Sequence, residues 1–248
     1  MFKIMPKIVE KMAYNYSINF YNKKRSKKQI KYLIYHYTGM KNDDDAIRRL
    51  TSPKKKVSCH YYINESGKII QMVPDKYIAW HAGISFWKKD KLLNSKSLGI
   101  EISNPGHENG YKKFNTSQIK SIKELSLHLI KKYKINKTNI LGHSDISPLR
   151  KKDPGEKFPW EYLAKKKIGI WHKLEKEKIS HLKKNNIFNN LQFWKNLKVI
   201  GYSFNLKNDL DLKKITKSFQ RRFRPELING KPDKECFEIS KSLKNIRK

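Results

Sequence analysis

Residues 142–155 read GHSDISPLRKKDPG, and the rest of the chain can be interpreted outward from them. They combine an imidazole, two carboxylates and three cations with two prolines and two glycines, a composition that predicts a loop rather than a helix. Pro154 disfavours helical geometry at Asp153, the residue before it. A rigid loop that carries His143 and Asp153 is a strong candidate for a functional site.

Two strand patterns and a short helix are predicted upstream of this loop. Residues 31–38, KYLIYHYT, are dense in β-branched and aromatic side chains, which indicates a buried strand with His36 near its carboxyl end. Residues 43–50 place acids first and cations last, the charge order that suits a helix. Residues 57–64 and 68–73 flank a turn that contains glycine and predict a hairpin.

The middle of the chain continues the alternation of strands and helices. Residues 97–103 alternate so that their Leu and Ile side chains share one face and Glu101 points to the other. Residues 116–133 carry apolar side chains at helical spacing, with Thr116 as the predicted N-cap. Residues 139–141 predict a short strand that leads into the loop. The pattern predicts an α/β fold with a mixed central β-sheet flanked by helices.

The last third of the chain has a different pattern. Charged residues without periodicity predict a linker at 176–184. Three amphipathic segments follow at 187–197, 210–223 and 233–246. Helices this short must share one core, so they predict a small three-helix bundle. The predicted core of this bundle consists of Ile187, Leu191, Phe219, Phe223 and Ile239.

The net charge of +34 suggests a polyanionic partner such as nucleic acid, a membrane surface or an acidic cell-wall polymer. The lysines are spread along the whole chain, however, and no RNA-recognition signature or zinc-finger spacing is present. A compositional bias toward lysine explains much of the charge. No specific nucleic-acid partner is therefore predicted.

Cysteine content and hydropathy limit the choice of compartment. Cys59 and Cys236 are far apart, so no disulfide framework is expected. No apolar run approaches the roughly 18 residues of a membrane span, so no transmembrane helix is expected. Residues 1–11 are interrupted by charges and lack the features of an export signal. This predicts an intracellular protein or one whose export signal is missing from the sequence.

Three side chains that can bind a metal lie at predicted strand ends or on the loop: His36, His143 and Asp153. Two histidines and one carboxylate leave a fourth position open, as a catalytic zinc ion requires. Taken singly, each histidine is as well explained as a core or surface residue. Their joint placement favours a metal site.

Five motifs resemble the AmpD/AmiD-type N-acetylmuramoyl-L-alanine amidases, and the similarity runs from about residue 31 to residue 171. The motifs, in the order of the family, are residues 35–38, 57–61, 79–83, 98–101, and 142–145 with 148–155. The resemblance implies one zinc ion per chain, bound by His36, His143 and Asp153. It also implies that Glu101 is the general base and acid, and that Lys151 stabilises the oxyanion.

Further site residues are predicted around this centre. Substrate contacts are predicted at Trp80, His81, Asn104 and Arg150. For His81 a structural role is an equal alternative, and Trp80 could instead belong to the core. Cys59 is interpreted as a small packing residue, with a reactive nucleophile as the alternative.

The C-terminal segments at 201–202, 219–225 and 229–233 resemble the peptidoglycan-binding module of AmiD-type enzymes. The predicted organisation is a catalytic domain at 1–175 (core 31–171, extension 1–30), a linker at 176–184 and a helical peptidoglycan-binding-like domain at 185–248. Such a module favours the cell envelope, the periplasm or secretion. The absence of an export signal makes the cytoplasm the alternative.

The leading hypothesis is zinc-dependent hydrolysis of the amide bond between N-acetylmuramic acid and L-alanine, in peptidoglycan or muropeptides. The alternative is a non-catalytic peptidoglycan-binding protein with the same fold. A basic nucleic-acid-binding protein is a third hypothesis, motivated by charge alone. The oligomeric state is left open.

Overall fold

The computed structural model describes residues 12–175, 190–204 and 208–246. Strands β1 to β10 are Ala13–Tyr14, Phe20–Tyr21, Tyr32–Tyr37, Tyr61–Ile63, Ile69–Gln71, Ile78–Ala79, Phe86–Trp87, Asp90–Lys91, Ser97–Ile102 and Ile140–Gly142. Helices α1 to α7 are Asp43–Thr51, Thr116–Tyr133, His143–Ile146, Trp160–Lys165, Asn190–Ile200, Asp209–Phe223 and Lys234–Asn245. Short 3-10 helices are Lys27–Gln29, Pro53–Lys55, Leu93–Lys96 and Lys137–Asn139.

The central sheet is mixed and has the strand order β1-β5-β4-β9-β3-β10. Strands β4 and β5 pair antiparallel, as the predicted hairpin requires, and the other neighbours in this sheet are parallel. The register places His36 of β3 opposite Glu101 of β9, and Gly142 of β10 opposite Tyr35. Parallel strands bring their carboxyl ends to one edge, so His36, Glu101 and His143 meet there. The predicted mixed α/β sheet is confirmed.

Helix α2 covers one face of the sheet. Its residues Ile122, Leu125 and Leu129 are buried in one core with alternate residues of β3, among them Leu33. The predicted cap at Thr116 is wrong by one residue. The side chain of Asn115 accepts a hydrogen bond from the Gln118 N–H, and the Gln118 side chain accepts one from the Asn115 N–H. This reciprocal pair begins the helix one residue earlier than expected.

The C-terminal helices cover the opposite face of the sheet. The other residues of β3, Tyr32 and Ile34, belong to a second core that includes Phe193, Phe219 and Ile239. Alternation along β3 therefore divides its side chains between the two cores. The predicted C-terminal helices are present, but they pack on the sheet as well as on one another.

One residue assigned to the bundle core is wrong. Leu191 is 50% exposed, and Phe193 and Leu197 occupy the core instead because they lie four residues apart on the inward face of α5. Ile187 and the predicted linker at 176–184 lie outside the described residues. The division of the chain into domains stays a prediction.

The 142–155 segment differs in one respect from the predicted loop. It begins with one helical turn, α3, before continuing as an irregular segment. The Asp145 carboxylate accepts a hydrogen bond from the Gly142 N–H at 2.8 Å, and Ser147 N–H donates to the His143 carbonyl at 2.9 Å. These bonds close the turn ahead of Pro148, so the expectation of no helix is wrong for these four residues.

Candidate metal centre and cleft

Three buried ligand atoms converge at the carboxyl edge of the sheet. His36 Nδ1 lies 2.9 Å from His143 Nδ1, and Asp153 Oδ2 lies 3.0 Å from each of these nitrogens. The end of β3 positions His36, the start of α3 positions His143, and the irregular segment after α3 positions Asp153. The exposed fractions are 1%, 4% and 6%, respectively. Within the described part of the chain, these three side chains form a group that can hold a metal ion.

A chain of hydrogen bonds defines the tautomer of His36. The Ser97 hydroxyl donates to the Leu93 carbonyl at 2.7 Å, so its oxygen accepts from His81 Nε2 at 3.1 Å. His81 Nδ1 then accepts from His36 Nε2–H at 3.0 Å. This leaves the lone pair of His36 Nδ1 directed at the cluster, the arrangement expected of an imidazole ligand held by a neighbouring acceptor.

His143 has the same orientation. Its Nε2–H donates to the Ala82 carbonyl at 3.1 Å, which leaves Nδ1 as an acceptor that faces the cluster. Burial, together with the neighbouring His143, lowers the pKa of His36 to about 4.

The cluster therefore brings together two imidazole nitrogens and a carboxylate oxygen, each of which offers an electron pair. Three such groups within about 3 Å repel one another unless a proton or a cation lies between them. Two nitrogens, one oxygen and an open fourth direction suit a catalytic zinc ion. The residues present thus fit the metal that the sequence predicts.

A cleft of about 330 Å³ opens above the cluster. The cleft is lined by two of the three predicted ligands, both predicted catalytic residues and two of the four predicted substrate contacts: His143, Asp153, Glu101, Lys151, His81 and Arg150. The structure thus brings most of the predicted site together. Which of these residues contact a substrate stays a prediction.

Glu101 has the environment of a proton carrier. Its side chain is 8% exposed, and its Oε2 has no hydrogen-bond partner among the described residues. Burial raises the pKa of Glu101 well above its usual range, and the charge of Asp153 raises it further, while Lys151 and Arg49 oppose the shift. Glu101 lines the cleft, and a carboxyl group that keeps one oxygen without a protein partner can hold a proton there.

The predicted substrate contacts other than His81 differ in their surroundings. Arg150 donates to the Ala82 and Ile84 carbonyls at 3.1 and 3.2 Å, so its guanidinium holds the wall of the cleft. Trp80 is not among the residues that line the cleft, and its ring packs edge-on against Tyr21. Asn104 is also absent from the lining; it donates to the Lys112 carbonyl at 2.8 Å and accepts from the Gly106 N–H.

Sequence reasoning missed a polar chain along one side of the cleft. The Tyr37 hydroxyl lies 2.9 Å from His107 Nδ1, and His107 Nε2 lies 3.0 Å from a Glu156 oxygen. Arg221 of α6 pairs with the same oxygen at 3.5 Å. Tyr37 stands in a motif quoted for the family resemblance, but nothing local in the sequence indicates its partners.

Cys59 is fully buried, 3.7 Å from the sulfur of Met72. Burial raises the pKa of the Cys59 thiol well above its usual range. A thiol that resists ionisation is a poor nucleophile, so the structure favours the packing role for Cys59.

A mixed sheet that presents two histidines and a carboxylate at the floor of a polar cleft is typical of metal-dependent hydrolases. A family model described as N-acetylmuramoyl-L-alanine amidase (Amidase_2) matches residues 26–156. The amidase AmiD of Escherichia coli K12 is 33% identical over 231 residues, 87% of this chain and 82% of the relative. The 1,6-anhydro-N-acetylmuramyl-L-alanine amidase AmpD of Haemophilus influenzae is 33% identical over 58% of this chain and 86% of the relative.

Solved structures agree with these relatives. The complex of E. coli AmiD with anhydro-N-acetylmuramic acid-L-Ala-D-gamma-Glu-L-Lys matches with a TM-score of 0.78 and 31% identity, over 88% of this chain and 90% of that chain. AMPDH3 of Pseudomonas aeruginosa matches with a TM-score of 0.80 and 27% identity, over 91% of this chain and 97% of that chain. The chain belongs to the N-acetylmuramoyl-L-alanine amidase family, and it is a hydrolase. The predicted family and enzyme class are confirmed.

Proposed function

We propose that this amidase uses one zinc ion, held by His36, His143 and Asp153, to hydrolyse the amide bond between N-acetylmuramic acid and L-alanine in peptidoglycan or muropeptides. The observation that carries the proposal is the convergence of three buried electron-pair donors at the floor of the cleft. The solved complex of E. coli AmiD with a muropeptide fragment supports the choice of substrate class.

Zinc in this position would supply Lewis acidity to the amide carbonyl and lower the pKa of water to about 7. Glu101 lines the same cleft and keeps one carboxyl oxygen without a protein partner, so it takes the proton of the attacking water and passes it to the departing L-alanine nitrogen. Lys151 lines the cleft two residues before the ligand Asp153. Its ammonium group stabilises the negative charge that develops on the carbonyl oxygen.

The rim of the cleft is cationic, and this matches an acidic stem peptide. Arg49, Arg150, Lys151 and Lys152 all line the cleft. A muropeptide carries free carboxylates on its peptide, and a basic cleft raises the rate at which such ligands associate. We propose that Arg150 contacts a substrate carboxylate. We propose that His81, which also lines the cleft, orients His36 through their hydrogen bond.

Removal of the metal is expected to abolish hydrolysis of a defined muropeptide, because Glu101 and Lys151 alone do not activate water or the carbonyl. Turnover is expected to return with one equivalent of zinc per chain, measured by elemental analysis and by mass spectrometry of the products. Cleavage at the N-acetylmuramic acid to L-alanine bond supports the proposal. Full activity in the chelated enzyme, or cleavage at a different bond, would refute it.

The proposed location follows from the substrate. The described part of the chain includes no helix with the length and hydropathy needed to cross a bilayer. We propose that the enzyme acts at the cell envelope, where intact peptidoglycan lies, with the cytoplasm as the alternative if free muropeptides are the substrate. Fractionation of cells that produce the protein, followed by immunodetection, decides between these locations.

We also propose that residues 185–248 add a peptidoglycan-binding surface to a catalytic domain at 1–175. In cosedimentation of the full-length Glu101→Gln variant with insoluble peptidoglycan, the protein is expected to stay with the pellet when soluble muropeptide saturates the cleft. The protein is expected to stay because a second binding surface would hold the polymer independently of the active site. Complete release by the soluble muropeptide would leave the cleft as the sole binding surface and end this proposal.

A further inference from the structure

The turn that carries the ligand His143 is held by residues of the C-terminal helical region. The carboxylate of Asp145, two residues after His143, forms an ion pair with Arg222 of α6. Its other oxygen accepts a hydrogen bond from the Tyr202 hydroxyl at 2.7 Å. The same carboxylate also caps the turn at Gly142. One buried acid thus joins the start of α3 to two C-terminal residues.

Two further bonds reach the backbone on either side of His143. The second arm of Arg222 donates to the Ile140 carbonyl at 3.0 Å, and the guanidinium lies 4.1 Å from the centre of the Trp160 ring. On the other side, the Ser218 hydroxyl donates to the Ser144 carbonyl at 2.7 Å. Helix α6 therefore contacts the main chain both before and after the ligand.

The same turn also fixes a second ligand. The Ser144 N–H donates to the main-chain carbonyl of Asp153 at 2.8 Å. A shift of residues 142–146 would therefore move both His143 and Asp153 away from His36. Groups that hydrogen-bond to the ligands, or to the backbone that carries them, hold those ligands in the geometry that a metal requires, so such a shift would weaken metal binding.

A purely stabilising role explains these contacts less well. Arg222, Asp145 and Tyr202 are all at least 97% buried. Buried ion pairs are weak contributors to stability, because desolvation offsets much of their attraction. Their hydrogen bonds are directional, however. Arg222 donates to the Ile140 carbonyl and Asp145 accepts from the Gly142 N–H, so two of these bonds reach the main chain just before a ligand.

We propose that the C-terminal helical region completes the metal site, and that Arg222, Tyr202 and Ser218 are positioning residues for His143. This inference rests on the proposed function in one respect, namely that the cluster binds zinc. It goes beyond that function because it gives residues outside the matched family segment 26–156 a role in positioning a metal ligand.

The neighbouring residue Arg224 provides a matched control for Arg222. Both side chains are 3% exposed, but Arg224 pairs with Asp233 and Glu235 within the C-terminal region. Replacement of either arginine by lysine keeps the charge and loses the fork of donors, so both variants are expected to lose melting temperature. Arg222→Lys is expected to weaken zinc binding by about 10- to 100-fold in competition with a chromogenic chelator. Arg224→Lys is expected to bind zinc like the wild type.

A milder pair keeps the test decisive if Arg222→Lys does not fold. Ser218 and Ser240 are both fully buried, but the Ser240 hydroxyl donates to Phe237 of its own helix. Ser218→Ala is expected to weaken zinc binding measurably, whereas Ser240→Ala leaves it unchanged. Equal effects within both pairs, or wild-type zinc affinity in Arg222→Lys and Ser218→Ala, would overturn the inference while the proposed function stands. A wild-type protein that binds no zinc would overturn both.

Discussion

Replacement of His143 by alanine is expected to release the metal and to reduce hydrolysis to the background rate. Sites with four protein ligands bind zinc with about 10–16 kcal/mol, so each ligand supplies on average about 2.5–4 kcal/mol, or about 10²- to 10³-fold in affinity. A site left with His36 and Asp153 cannot retain zinc against a weak chelator. Elemental analysis of the purified variant and chelator competition measure the loss.

His60 offers a control for His143→Ala. It is fully buried, accepts a hydrogen bond from the Gly99 N–H and lies outside the ligand cluster. His60→Ala is expected to lower the melting temperature while the purified protein keeps one zinc ion per chain. Full zinc occupancy in His143→Ala would show that the ligands have been assigned incorrectly, whatever its activity.

The convergence of His36, His143 and Asp153 is the part of the site that sequence reasoning predicts well. His36 lies near the carboxyl end of an apolar strand and His143 follows another, and in a parallel sheet those two ends meet at one edge. Asp153 follows on the same segment, ten residues from His143. The proximity of these three side chains follows from local sequence patterns and from the rule that parallel strands end at one edge of a sheet. It can therefore be predicted without knowledge of contacts between distant parts of the chain.

The role of the C-terminal helices could not be predicted in this way. Hydrophobic periodicity shows which face of a helix is apolar, but it does not show which surface that face covers. The sequence predicts a bundle whose three helices share a core of their own. In the structure, the second core contains residues of α5, α6 and α7 together with Tyr32 and Ile34 of β3. Likewise, the pair of Asp145 and Arg222 spans 77 residues, and no spacing rule connects side chains that far apart.

The second large effect is expected at Glu101. Glu101→Gln keeps the size of the side chain and all three ligands, so zinc content is expected to stay at one per chain. The amide of glutamine cannot take a proton from water, and kcat is expected to fall by about 10²- to 10⁴-fold. Steady-state hydrolysis of a defined muropeptide, at matched zinc content, measures the loss. Near wild-type turnover would reduce Glu101 to a buried strand residue without a catalytic role.

A change of leaving group separates the two proton transfers assigned to Glu101. Departure of the L-alanine nitrogen requires a proton, whereas an aryl ester of the N-acetylmuramic acid lactyl group releases a phenolate that needs none. If Glu101 serves both as base and as acid, Glu101→Gln should lose less activity on the ester than on the amide. The wild-type enzyme on both substrates is the reference, and Glu65→Gln, an exposed acid outside the cleft lining, is the control. An equal loss on both substrates would leave Glu101 with the activation of water and assign protonation of the nitrogen to another group.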